Sequence, residues 1–154
     1  MTTALRVREM QSNDVDAVFA IELAAHRVPW TQNIIQDCVH VHFDCRVLEI
    51  QQEQEQKIIG FIISHQQETI CHILNVCIAP DFQGKGYGRF LLNNQIDSLK
   101  DTSMNSILLE ARPSNLAALH LYQKLGFQKV GVKQGYYTDD LDVEDAVVLQ
   151  KHLS

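Results

Sequence analysis

The sequence predicts a single α/β domain over residues 1–154, with a mixed sheet and helices on both of its faces. Three observations predict it. Strand-like and helix-period segments follow one another in the order β-α-α-β-β-β-α-β-α-β-β. Two of the strand-like runs, Lys57 to Ser64 and Thr69 to Ala79, are apolar or β-branched at most positions, as strands covered on both faces are. A chain of 154 residues is also the length of one domain, enough to bury a core without a metal or disulfide staple. No repeat, linker or composition shift divides it.

Leu5, Val7 and Glu9 alternate with Arg6 and Arg8, which predicts a first strand. Ser12-Asn13-Asp14 starts a helix, with Asn13 as the expected N-cap and Asp14 and Asp16 at the positive end of the helix dipole. Val15, Val18, Phe19 and Leu23 are its expected core face. Val28-Pro29-Trp30 breaks this helix, and Thr31 caps a second one carrying Ile34, Ile35 and Val39. Cys45 to Ile50 reads as a strand and the polar Gln51 to Gln56 as a hairpin loop before Lys57 to Ser64. Thr69 to Ala79 follows and ends at Pro80, which has no N–H for a ladder. Tyr87 to Leu99 is a helix with Phe90, Leu91, Ile96 and Leu99 on its apolar face. Ser106 to Ala111 is a short strand, and Asn115 to Leu125 a helix closed by Gly126. Phe127 to Val132 and Val143 to Leu149 are the last strands, linked through Gly135 to Asp140.

Lys and Arg number 13 against 19 Asp and Glu, a net charge of −6. That balance argues against direct nucleic-acid binding and against binding to an anionic membrane, both of which need a basic face. No apolar run approaches the roughly 20 residues of a membrane span. Met1 to Met10 lacks a signal-peptide apolar core, so a cytoplasmic location is expected. Cys38, Cys45, Cys71 and Cys77 form no C-x-x-C pair and are expected to be reduced thiols, several of them buried. Cys38, His40, His42 and Cys45 match no standard zinc spacing, and the acidic run Asp139, Asp140, Asp142, Glu144 and Asp145 lacks the glycine and spacing of an EF-hand. No metal is expected.

The segment from Ile78 to Leu92 carries the most chemistry. A strand ends at Pro80, and a turn containing Gly84, Gly86 and Gly88 opens into a helix. Successive N–H groups at a helix N-terminus make an anion site suited to a pyrophosphate, and Lys85 and Arg89 add positive charge. Taken alone, the pattern fits either such a site or a glycine-rich turn with no ligand. Neither G-x-x-x-x-G-K-[ST] nor G-x-G-x-x-G is met.

Gln83-x-x-Gly86-x-Gly88, between a strand and a helix, resembles the acetyl-CoA pyrophosphate loop of the GNAT N-acetyltransferases. Leu109 to Asn115, Ala117-Ala118 and Leu121 to Phe127 resemble the second half of that family's core. Ala25-His26-x-x-Pro29-Trp30, Tyr136-Tyr137 and Glu144-Asp145-Ala146 are similar to the protein N-terminal acetyltransferases, and the whole most resembles those that acetylate the N-terminal alanine of a small-subunit ribosomal protein. Asp140 to Val143 departs from relatives that carry a glycine before the Glu-Asp-Ala triplet, which leaves the peptide register open.

The resemblance implies a GNAT fold whose two central strands splay to admit acetyl-CoA, with direct attack of an amine on the thioester. It implies Glu110 as general base and Tyr122 as the acid that protonates the CoA thiolate. An N-terminal amine, with a reference pKa of about 7.7–8.0, must lose a proton before it attacks. The backbone of Val76, Cys77 and Ile78 would pair with the pantetheine amides. Gln83, Gly84, Lys85, Gly86, Tyr87, Gly88 and Arg89 would hold the pyrophosphate. Asn115 would bind the CoA arm, although it is equally placed as a helix N-cap. Asn115 and Tyr122, seven residues apart, share a helix face. Trp30, Tyr136 and Tyr137 would flank the entrance of the peptide. Cys77 invites a nucleophile reading, but the sequence puts no His or Asp partner close to it. The implied partners are acetyl-CoA and a protein N-terminus, acted on by a monomer. A small amine or a lysine side chain as acceptor, and a non-catalytic acyl-CoA sensor, stay open.

Overall fold

The computed structural model describes residues 4–138 and 143–153. Seven strands form one mixed sheet in the order β1-β2-β3-β4-β5-β7-β6. In chain order these are β1 (Ala4–Glu9), α1 (Val15–Ala25), α2 (Gln32–His40), β2 (Asp44–Gln52), β3 (Glu55–Gln67), β4 (Ile70–Ile78), α3 (Tyr87–Ser98), β5 (Ser106–Ala111), α4 (Leu116–Lys124), β6 (Gln128–Thr138) and β7 (Val143–His152). The predicted element order stands. The chain divides into two compact units, Met1–His65 with Asn75–Ser98, and Gln66–Leu74 with Leu99–Ser154.

In the first unit β1, β2 and β3 pair antiparallel. Val47, Leu48, Ile59, Phe61 and Ile63 are fully buried, so β2 and β3 carry much of this core. The polar stretch after Ile50 is mostly strand, because the ladder runs on to Gln52 opposite Glu55 and the turn is only Glu53-Gln54. Gly60 is held to glycine by close approach: a Cβ there would lie 2.6 Å from Ile78 Cδ1 and 2.9 Å from the Cys77 carbonyl oxygen.

The helices differ from the prediction in which face they bury. Asn13 does not cap α1. Residues Ser12–Asp14 form a 3-10 turn, in which the Asp14 carboxylate accepts the Gln11 N–H at 2.7 Å. Val15, Val18, Ile21 and Glu22 are the buried residues of α1, and Leu23 is exposed. Glu22 is held on the buried face by polar contacts with Trp30, Asn75 and His26. Thr31 caps α2 as expected, its hydroxyl accepting from the Ile34 N–H. Ile35 and Cys38 are buried there, with Ile34 left exposed. On α3 the buried set is Leu91, Leu92 and Gln95, continued by Leu99, while Phe90 is exposed. Gln95 brings a buried amide toward Ser64 Oγ and Asp44, contacts that hydrophobic periodicity does not anticipate.

In the second unit β4 and β5 are parallel, β5 and β7 antiparallel, and β6 and β7 antiparallel. Ile107, Leu109 and Ala111 of β5 are buried, and Leu108 and Glu110 alternate onto the other face. Asn115 caps α4, its Oδ1 accepting from the Ala118 N–H. The helix closes through Gly126 at φ +95°, with the Phe127 N–H bonded to the Tyr122 carbonyl at 3.0 Å. β6 runs on to Thr138, so Gly135 to Thr138 are strand rather than a link. Asp139, Asp140 and Asp142 of the acidic run, and with them most of the Asp140 to Val143 departure, lie outside the described residues. All four cysteines are buried and none is in a disulfide. Among the described residues no helix is long and apolar enough to cross a membrane.

One charge cluster ties β1, β2 and the start of α1 together. Arg8 grips both Asp14 oxygens, at 2.8 and 2.9 Å, and both Glu49 oxygens, at 3.0 and 3.3 Å. The Arg8 hydrogen bonds hold the Asp14 carboxyl below the usual carboxylate range. Arg8→Met strands two buried carboxylates and should cost about 3 kcal/mol at neutral pH in urea unfolding. A depressed folded-state pKa stabilises above the unfolded value and is lost as pH falls through the folded one. The gap between wild type and variant should therefore narrow below about pH 4.

Candidate active site

The glycine-rich turn is built as its composition suggests. Pro80–Phe82 form a 3-10 turn after β4, and the Gln83 side-chain amide donates back to the Ile78 carbonyl at 2.8 Å. Gly84 and Gly86 have φ of +76° and +87°, the left-handed region that other residues enter at a cost. A Cβ at either would meet nothing within 4 Å, so backbone conformation and not crowding demands glycine, and the space over the turn is open. The Gly86 carbonyl accepts the Phe90 N–H at 3.0 Å and starts the helical ladder. The N–H groups preceding Phe90 are those a helix start leaves without intrahelical partners. Lys85 lies over the Phe82 ring at 5.7 Å, and Lys57 over the same ring at 5.4 Å. The turn thus offers backbone donors, open space and two ammonium groups, a set that suits a pyrophosphate.

Val76, Cys77 and Ile78 form the end of β4 in the same unit. The β4–β5 register runs only from Ile70 opposite Ser106 to His72 opposite Leu108. Cys77 does have neighbours the sequence did not reveal. Ligand atoms of Glu22, His26 and Cys77 lie within 4.8 Å of one another. Burial pushes the Cys77 thiol up to about 12, so it is not a thiolate at neutral pH. The buried Glu22 carboxylate accepts the Trp30 N–H at 2.9 Å and the Asn75 side-chain amide at 3.0 Å, and pairs with His26 at 3.3 Å. It anchors the segment carrying Trp30 to β4.

In the second unit Glu110 is the hub. Its side chain is 6% exposed. Both of its oxygens lie 2.8 Å from His72 Nε2 on β4. The Tyr136 hydroxyl donates to Oε1 at 3.4 Å, and Lys133 Nζ lies 3.8 Å from the same oxygen. Burial pushes the Glu110 carboxyl up, but the His72 hydrogen bond and charge, Lys133 and Tyr136 outweigh it and hold it below its ordinary value. Burial and the Glu110 charge raise Tyr136. Tyr137 meets Tyr136 edge to face, with centroids 4.9 Å apart, and stacks under the Arg112 guanidinium at 4.3 Å. Tyr122 is buried on α4 beside Phe127. Asn115 serves the N-cap through Oδ1, which leaves its Nδ2 for a ligand.

The structure puts the Tyr136 hydroxyl beside Glu110, a contact the sequence does not reveal. It adds His72 and Lys133, which the sequence reading missed. His72 sits on the face of β4 that the parallel register turns toward Glu110, and one strand read alone does not reveal a register. Glu144 and Asp145 are committed within the fold: Glu144 binds Ser114 and Arg112, and Asp145 accepts the Gly135 N–H.

A model of the acetyltransferase (GNAT) family matches residues 15–127. The chain belongs to this family. Over 148 residues it is 30% identical to the ribosomal protein bS18-alanine N-acetyltransferase of Escherichia coli K12, covering 96% of this chain and 97% of that protein. It is 31% identical over 148 residues to the protein of the same name from Haemophilus influenzae, covering 96% and 98%. The crystal structure of the ribosomal-protein-S18-alanine N-acetyltransferase from Escherichia coli superposes with a TM-score of 0.88 at 28% identity, over 98% of this chain and 95% of that one. The GNAT fold expected from the sequence is the fold observed, and the chain is an acetyl-CoA-dependent N-acetyltransferase.

Glu22→Ala removes the acceptor from the Trp30 N–H and the Asn75 amide and should cost about 2–3 kcal/mol in urea unfolding. Glu22→Gln, which keeps one acceptor oxygen, should cost less.

Proposed function

We propose that this GNAT protein, a cytoplasmic monomer whose residues 1–154 act as one domain, acetylates the N-terminal α-amino group of a protein, with a ribosomal protein beginning in alanine as substrate. The observation that carries the reading is the contact of the Tyr136 hydroxyl with Glu110: an aromatic pair suited to a peptide and an ionised carboxylate suited to its amine meet at one place. Similarity along nearly the whole chain to two bS18-alanine N-acetyltransferases supports the choice of substrate.

In this reading the N–H groups of Gly84 to Arg89 hold the pyrophosphate, with Gln83 bracing the turn and Lys85, Tyr87 and Arg89 lining it. The backbone of Val76 to Ile78 pairs with the pantetheine amides, and Asn115 binds the CoA arm through Nδ2. Trp30, Tyr136 and Tyr137 contact the peptide. Glu110 takes a proton from the ammonium, directly or through water. The amine lone pair then forms the N–C bond, the C–S bond breaks and sulfur keeps the electron pair. Tyr122 protonates the thiolate and is reprotonated by the proton that the nitrogen loses on becoming an amide.

CoA release from acetyl-CoA, measured on short peptides differing only in their first residue, tests the reading, with free lysine and a polyamine alongside. Turnover should be confined to peptides with a free N-terminal alanine or similarly small residue and vanish when that amine is blocked. Turnover on lysine or the polyamine instead would discard the protein substrate. Glu110→Gln and Tyr122→Phe should each lower kcat about 10²-fold. Unchanged rates in both would discard the acid–base assignment.

A further inference from the structure

The geometry points to His72 as the positioning residue of the catalytic base: it holds both oxygens of Glu110 in the orientation from which the carboxylate takes the amine proton. This rests on the role proposed for Glu110. Nε2 of His72 is 2.8 Å from Oε1 and 2.8 Å from Oε2, so one ring nitrogen bridges the carboxylate and fixes its rotation. Both residues are set by the backbone. His72 occupies the last rung of the β4–β5 ladder, opposite Leu108, and Glu110 lies two residues further along β5 on the same face. The Glu110 side chain is 6% exposed and that of His72 is 30% exposed, so the carboxylate has little solvent to hold it and depends on its protein donors.

Further neighbours of Glu110 come from β6 and β7. β6 supplies Lys133 at 3.8 Å, the Tyr136 hydroxyl at 3.4 Å, and Tyr137, which responds to the Glu110 charge. β7 places Val148 opposite Glu110. Of these groups His72 makes the shortest contacts, and a donor bridging both oxygens restricts the carboxylate to one rotation.

The test compares wild type with His72→Ala, which removes the donor, and His72→Gln, which keeps an amide donor. kcat/KM is measured with an alanine-terminated peptide and saturating acetyl-CoA. The titration of the Glu110 carboxyl is followed by ¹³C NMR in each protein. His72→Ala should lower kcat/KM at least about threefold and His72→Gln less, with the KM for acetyl-CoA unchanged in both. The Glu110 titration should move up in His72→Ala. Wild-type kcat/KM in His72→Ala would overturn the proposal and leave the acetyltransferase reading standing. Wild type inactive on every peptide would overturn that reading. The NMR titration then decides the pairing alone, and an unmoved Glu110 discards it.

Discussion

Three parallel rungs, from Ile70 opposite Ser106 to His72 opposite Leu108, join β4 to β5. Side chains alternate along a strand, so this register puts Ile107, Leu109 and Ala111 into the core and leaves Leu108 and Glu110 on the face that His72 shares. A slip of one residue would bury Glu110 among apolar side chains and turn its neighbours outward. The apolar half of β5 thereby fixes the polar half. Hydrophobic burial places Glu110 on that face, and the hydrogen bonds from His72 and Tyr136 orient its oxygens.

The first unit solves a different problem with the same materials. Its buried carboxylates, Asp14, Glu22 and Glu49, are each surrounded by donors. A buried charge adds little net stability, but it tolerates few alternative arrangements. Arg8 accordingly sets how β1 and β2 meet the start of α1, and Glu22 sets how the segment with Trp30 leaves it. Gly60 shows the same economy in backbone form: the strand beside Cys77 and Ile78 comes so close that no side chain fits.

Much of this was readable in the chain. The order of elements, the span Ser106 to Ala111, the Thr31 and Asn115 caps and the left-handed Gly126 follow from local chemistry, which a sequence records directly. The buried faces of α1 and α3 were misjudged because Glu22 and Gln95 are buried by long-range partners, and hydropathy assigns such residues to solvent. The β2–β3 turn shrank to Glu53-Gln54 because ladder pairing overrode the low strand propensity of a Gln and Glu run. Asn115 suits two roles by its position in the sequence, and the helix claims only one end of its amide. Glu110 and Tyr136 were visible through family likeness. His72 was not, since its importance exists only once two strands are laid side by side.

The four buried thiols carry a practical corollary. Cys38, Cys45 and Cys77 belong to one unit and Cys71 to the other, and all are shielded from solvent. A thiol in that position cannot meet a labelling reagent until the backbone around it opens, so its modification rate clocks local opening and not intrinsic nucleophilicity. The native chain therefore contains reporters in both units. Mass spectrometry of timed alkylation would rank their opening free energies without a single engineered probe.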